Sequence, residues 1–520
     1  MPLKRTDKSL ALKGTGFSPY IKCRKMSLGF SPRGNHLSDW MRARSATKLV
    51  PHPSKRDNRS MAQRTHRILA TVLLGICILS TAPAQQWRAM TFRGDAPGID
   101  ENPLRGFIPY SSTKQTTDTF PHSMEWFYLP LSAVAMGPDS YDWTALEKQL
   151  TAIAARGHQA IFRFYLDYPK KPSGIPAYLL AAGLKTFPYE DSGNAASPTP
   201  SVSPDYRDPR LIDCLVRFIH AFGVRYDGDV RIAYLTAGLY GFWGEWHVLD
   251  HPLPGEPSGW SITQNSKDAL LQAYVESFHR TPVQVRVPDV TENRALLAHF
   301  GFHDDSFLQD TFGPQPWHFW AKMGHAGATN FWQAHPMGGE IYPELQSGLF
   351  ESWPNRQGQP TSLSIAVTHA TWMLDSALFV DPLTPAERAN ALRTERMLGY
   401  TFYCREWQLT QNKDGSSTIM VRLENRGAAP MYYAWPAEAE ALDANGKIVA
   451  QTTASWPLPE LLPGKTEQWS ISFNSLPATA NTILLRIADP MPGGHPLAFA
   501  NAEMSITLPG WLTLNLAPPE

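Results

Sequence analysis

In "YDWTALEKQLTAIAARG" the apolar residues Leu146, Leu150 and Ile153 recur at helical spacing and predict one buried stripe. Asp142 stands where a cap belongs, and Gly157 where the chain must leave the helix. The next stretch, "HQAIFRFYL", loses that period and reads as a buried strand. "RDPRLIDCLVRFIHAFG" repeats the helical signal. Asp208 caps it, Pro209 fills the first turn, and Leu211, Leu215, Phe218 and Phe222 form the stripe. "VRIAYLTAG" is then a strand, "SKDALLQAYVESFHR" a helix and "PVQVRVP" a strand.

Eight strands emerge in this way, centred on "RGFIPY", "EWFYLPL", "AIFRFYL", "RIAYLTA", "VQVRV", "FHDDSFL", "GGEIYPE" and "LSIAVTH". Strand alternating with helix over residues 95–399 predicts an α/β fold, a (β/α)8 TIM-type barrel. A run rich in Pro, Gly, Ser and Asn, including "EDSGNAASPTPSVSP", separates the third strand from the helix at Asp208 and predicts a long loop on one face. From residue 400 to 520 the texture changes. "STIMVRLEN", "AEALD", "KIVAQTT", "EQWSISF" and "TILLRIAD" alternate without helices between turn signals such as Asp414-Gly415 and Asn445-Gly446, predicting a C-terminal β-sandwich.

The first 84 residues belong to neither pattern. Residues 61–84 read as a secretory signal, with Arg64 and Arg67 before an apolar run from Ile68 to Leu79 and a small-residue site at Ala82-Pro83-Ala84. That run is shorter than the roughly 20 residues a membrane span needs. Residues 1–60 are basic and aperiodic, and are expected to be a disordered extension from a mis-assigned start, with Met61 the true first residue. Localisation is therefore expected to be secreted or periplasmic, with no membrane association once the signal is cleaved.

Removing these residues changes the charge. The whole chain balances 47 Lys and Arg against 47 Asp and Glu, but the part after Ala84 keeps 31 basic and 44 acidic residues, a net of −13. An acidic protein without a basic stripe is excluded as a nucleic-acid binder. Cys214 and Cys404 fall in different predicted domains, so no disulfide framework is expected.

Chemistry concentrates at predicted strand ends, where barrel enzymes keep their sites. "GLYGFWGEWH" follows the fourth strand and sets Glu245 between Gly244 and Trp246, with Trp243 beside it. Its three glycines allow tight turns, and Trp243 and Trp246 offer flat faces of the kind sugar rings stack on. Glu340 follows a Gly-Gly pair in the seventh strand. Carboxylates after the fourth and seventh strands suit a retaining glycosidase. One of them, Glu245 on this reading, protonates the leaving oxygen, and Glu340 attacks. His247, Arg105, Arg163, His303, Asp304, Asp305 and His369 are further candidates for substrate binding. Adjacent strand residues point opposite ways, so only one of Asp304 and Asp305 can face the axis. No His-x-His or His-Glu-x-x-His spacing indicates a metal, and no cofactor motif is present.

"NPLRGF", "GLYGFWGEWH", "HDDSFL", "MGGE" and a C-terminal "PLAFAN" together resemble a family of secreted bacterial proteins of unassigned function. The resemblance covers nearly all of the chain after residue 84 and implies a glycoside-hydrolase-like barrel with a C-terminal β-domain. Enzymes with this carboxylate placement usually carry Asn just before the acid/base Glu, where this chain has Gly244. The reading is an exported, carbohydrate-active barrel protein, a retaining glycoside hydrolase whose partner is an oligo- or polysaccharide. The alternative is a non-catalytic glycan-binding or surface-assembly protein on the same scaffold. A chain beginning at Gln85 is expected to unfold at the same temperature as the full-length protein, as circular dichroism would measure.

Overall fold

The computed structural model describes residues 86–116, 118–189, 201–248 and 261–516. The N-terminal extension, the signal segment and most of the long loop's Pro/Ser-rich run lie outside the described residues.

Eight parallel strands form the centre: β1 (Gly106–Ile108), β2 (Met124–Pro130), β3 (Gln159–Tyr165), β4 (Ile232–Thr236), β5 (Val283–Val285), β6 (Gly301–Phe307), β7 (Met337–Ile341) and β8 (Trp372–Leu374). Each pairs with its sequence neighbour, and β8 returns to β1. The ring closes between β1 and β2, where Tyr110 bridges to Trp126. Helices α1 (Thr144–Ala154) and α2 (Pro209–Tyr226) bury the stripes that the spacing predicts, and Asp208 accepts from the Arg210 amide at the α2 cap. Helix α3 (Gln264–Ser277) packs beside α2. The chain is a (β/α)8 barrel followed by a β-sandwich.

Seven of the eight strands lie where the pattern places them, and the eighth does not. "LSIAVTH" falls in helix α4 (Thr361–Thr368), and β8 is the next segment, "WML". Ser-Leu-Ser-Ile-Ala-Val-Thr alternates like a strand, yet the side chains it buries are Thr361, Ser364, Ile365 and Thr368, at helical spacing. Small polar residues on the buried face hid the helical period. His369 then turns the chain with φ 55 and leads into β8.

After β8, helix α5 (Pro385–Glu395) starts with a capping box between Thr384 and Glu387. The sandwich consists of β9 (Phe402–Gln411), β10 (Ser417–Asn425), β11 (Pro436–Asp443), β12 (Ile448–Ser455), β13 (Thr466–Phe473), β14 (Ala480–Ile487) and β15 (Leu512–Asn515). One antiparallel sheet runs Arg88–Ala89, β9, β10, β13, and the other β12, β11, β14, β15. The sandwich seals the N-terminal end of the barrel. Its Tyr433 hydroxyl donates to the Ala233 carbonyl in β4, and Tyr432 donates to Trp332. The core runs without a break from Trp126, Tyr234 and Trp372 inside the barrel to Tyr400, Phe402 and Trp435. Between these layers, Gln284 bonds the carbonyls of Phe302 and Pro336 and accepts from the Trp372 indole, which fixes three neighbouring strands.

Arg105 is part of this seal. Its buried guanidinium donates to the carbonyls of Ile99, Glu395 and Leu398. Arg105→Met should cost about 3 kcal/mol by leaving buried carbonyls without a donor. Urea denaturation would measure that loss, while ligand binding at the opposite end of the barrel should not change.

Candidate active site

The loop after β4 is held almost entirely by backbone. The amide of Leu239 donates to Phe164, that of Phe242 to His247, that of Trp243 to Asp167, and that of Trp246 to Tyr240. Three residues other than glycine take left-handed conformations here: Leu239 (φ 72), Trp243 (φ 54) and Trp246 (φ 62). Such residues each cost roughly 1–3 kcal/mol and persist where the surroundings over-determine them. The glycines relieve what side chains could not. A Cβ on Gly238 would sit 2.0 Å from the Phe164 carbonyl oxygen, so the loop touches β3 directly. That contact sets Glu245 over the end of the barrel, 1% exposed.

Three further strands supply charges around it. Arg286, just past β5, places Nη1 3.1 Å from Glu245 Oε2, and Arg163 on β3 places Nη1 3.7 Å from Oε1. Arg163 also donates from Nη2 to Asp305 on β6 at 2.9 Å. His303, two residues earlier on the same face, meets Asp305 through Nδ1 at 2.8 Å. His247 Nε2 lies 3.4 Å from Glu245 Oε2. Burial pushes the Asp305 carboxyl up, but His303, Arg163 and Arg286 outweigh it and hold it below the usual range.

Glu340 on β7 is in the opposite situation. The side-chain donor the structure gives it is Gln346, at 3.4 Å. Burial, then the charges of Asp305 and Glu245, push its carboxyl well above the usual range. The two glutamates thus sit in contrasting surroundings, Glu245 between guanidinium groups and Glu340 buried beside Gln346.

Aromatic residues line the same end. Arg163 lies over the rings of Trp126 and Tyr128, at 4.8 and 5.4 Å. Tyr128 stacks near Tyr110 and meets Tyr168 edge-on, and Tyr168 meets Trp243. The buried hydroxyls of Tyr110, Tyr128 and Tyr168, Nε2 of His303 and Oε1 of Glu245 make no hydrogen bond among the described residues. A short ribbon, Thr186–Tyr189 paired with Ser201–Pro204, covers this corner. Its anchor is Asp167, whose buried carboxylate accepts from Tyr189 and Ser203 and is pushed up to about 7 by burial.

The structure therefore brings together Glu245, Glu340, Arg163, His247, His303, Asp305 and Trp243. It does not bring Arg105, which precedes β1 at the sealed end. Nor does it bring His369, which stacks on Trp332 there because its segment is a helix entering β8 rather than a strand leaving the barrel. Asp304 points away from the axis and accepts from Thr311, with burial pushing it up to about 6. Trp246 offers no open face: it packs in the core, and its indole donates to Ala237. Sequence reasoning missed Arg286, Asp167 and the three tyrosines. Arg286 had a usable signal, a cation in register with Gln284 at the end of a buried strand.

No protein-family model matches the chain, and no curated protein matches it. Among solved structures it is similar to endo-glycoceramidase II from Rhodococcus sp. in its ganglioside GM3 complex, at 11% identity and TM-score 0.34, over 72% of this chain and 97% of that one. It is similar to the catalytic domain of β-amylase from Paenibacillus polymyxa at 10% identity and TM-score 0.36, over 57% and 98%. It is also similar to a GH27 β-L-arabinopyranosidase from Geobacillus stearothermophilus at 8% identity and TM-score 0.30, over 73% and 97%. All three are glycosidases by name. Likenesses this distant carry no argument about the site, and the fold stands on its own strand pairing.

A carboxyl raised in the folded chain contributes stability below its unfolded pKa, about 4.3, and that contribution is lost as pH rises through the folded value. Glu340→Gln escapes the loss. Its melting temperature should gain on the parent's between about pH 5 and pH 8, measured by calorimetry. A difference that stays flat or shrinks would show that Glu340 is already ionised.

Proposed function

We propose that this chain is an exported glycoside hydrolase of the retaining kind, acting through Glu245 and Glu340. The observation that carries the reading is the contrast between the two carboxyls. A glycosidase needs one carboxyl that keeps a proton and one that keeps a charge. The placement of the cations favours the reverse of the order expected from strand position: Arg286 and Arg163 face Glu245, and the side-chain donor beside Glu340 is Gln346. Glu340, buried and, among the described residues, without a cation in hydrogen-bond reach, is the proton carrier. Glu245, between Arg286 and Arg163, is the nucleophile. Gly244 agrees with this, since the Asn that usually precedes an acid/base Glu is missing there.

Among the described residues Glu245 Oε1 makes no hydrogen bond, with Arg163 3.7 Å away, while Oε2 faces Arg286 and His247, so Oε1 is the atom assigned to attack. It forms an ester to the anomeric carbon as Glu340 gives its proton to the departing glycosidic oxygen. Glu340, now charged, takes a proton from water, whose oxygen displaces the ester and regenerates Glu245. The unpartnered hydroxyls of Tyr110, Tyr128 and Tyr168 suit a ligand rich in hydroxyl groups, and the Tyr168 and Trp243 rings suit its C–H faces.

The second reading, a non-catalytic glycan-binding protein, is favoured by one observation. Glu245 is already ion-paired with Arg286, as a purely structural carboxylate would be.

The two amide variants separate these readings on a panel of aryl glycosides and natural polysaccharides. Glu340→Gln should slow substrates with poor leaving groups by about 100-fold or more while sparing activated aryl glycosides. Glu245→Gln should abolish turnover of both, and azide should partly rescue Glu245→Ala. The opposite dependence would restore the order expected from strand position. Parent rates in both variants would remove the pair from catalysis, and binding without turnover in the parent protein would favour the second reading.

A further inference from the structure

The sealed end of the barrel holds a second cluster that the proposed reaction does not use. His122 precedes β2, Glu125 lies within it, and His158 precedes β3; all three are buried. One ligand-type atom from each lies within 4.8 Å of the others. His122 Nδ1 is 2.9 Å from the Phe120 carbonyl and donates to it, which leaves Nε2 as a bare lone pair. That nitrogen is buried and has no hydrogen-bond partner among the described residues. His158 Nδ1 is held 2.6 Å from Glu125 Oε1.

His122, with Nδ1–H tied to a carbonyl and Nε2 left bare, has the arrangement of metal-ligating histidines. An unsatisfied buried nitrogen otherwise costs about 1–3 kcal/mol, which calls for a reason. We propose that His122, Glu125 and His158 bind a borderline divalent transition metal ion, Zn2+ foremost, at the closed end of the barrel. Two imidazoles and a carboxylate fit that class better than Mg2+ or Ca2+, which want oxygen donors. His495, stacked on His158 at 5.1 Å, is the nearest further imidazole and comes from the C-terminal region. The ion would therefore brace barrel against sandwich rather than take part in catalysis.

Arg156 competes for the same carboxylate. Its guanidinium grips both Glu125 oxygens, at 2.7 and 2.6 Å, while its side chain remains 31% exposed. It balances Glu125 when no ion is bound and can swing into solvent when one is.

The test uses the full chain, stripped with chelator and titrated with ZnCl2 by calorimetry, with Co2+ as an optical probe. The parent should bind one ion per chain and rise in melting temperature with it. Arg156→Met should bind about tenfold tighter or more, because the resident cation is gone, and His122→Ala about 100-fold weaker. Co2+ should give visible ligand-field absorption in the parent and stronger absorption in Arg156→Met. Should His122→Ala fail to fold, the calorimetry and Co2+ spectra of the parent and Arg156→Met decide alone. No binding in either protein overturns the proposal. So does binding that His122→Ala leaves intact, since the ion would then sit elsewhere.

Discussion

The guanidinium of Arg163, buried on the barrel axis, is the charge on which the candidate site depends. It pairs with Asp305, faces Glu245, and lies against Trp126 and Tyr128. In so dry a place each charge requires the others. Removing one partner of a buried pair leaves the rest uncompensated, which typically costs about 3–5 kcal/mol. Arg163 and Arg286 face Asp305 and Glu245, and among the described residues neither forms an ion pair with Glu340. The asymmetry between the two glutamates follows from how these cations are distributed, and it exists before any ligand arrives. The same guanidinium spaces the aromatic rings, so packing and charge in this corner cannot be altered separately.

Much of this was legible because buried polar residues stand out in otherwise apolar strands. Glu340, Arg163, His303 and Asp305 announced themselves in that way, Glu245 by its place in a glycine-rich aromatic loop, and α1 and α2 declared their buried stripes residue by residue. The eighth strand was not legible. "WML" is too short to show a period, and the helix before it buries threonine and serine. The contrast in the surroundings of Glu245 and Glu340 was also hidden, since it depends on how far each lies from Arg163 and Arg286. Spacing along the chain does not contain that distance. His122, Glu125 and His158 escaped for a related reason: no short motif joins them, and the register of β2 against β3 does.

The two ends of the barrel divide the work in the manner usual for the fold. At one end short backbone-held loops carry charge and aromatic faces. At the other, Arg105, Gln284 and the tyrosines of the sandwich satisfy one buried carbonyl after another. Arg105 and His369 looked like site residues from sequence because they flank strands. They flank the sealing ends, where a polar side chain serves a neighbour's backbone.

The sandwich is completed from both ends of the described chain. Arg88–Ala89 pairs with β9, and the Arg88 side chain reaches the Asn515 carbonyl, 427 residues further on. Phe92 bridges to Asn501 in the same way. A strand from the start of the described chain thus pairs with segments from its far end, and the barrel's floor stays open until they meet. Such distant pairing folds slowly and leaves apolar surface uncovered meanwhile. A chain emerging from a ribosome, or threaded through a narrow channel, could not finish this floor on the way. The floor can close only when segments 427 residues apart along the chain are both present.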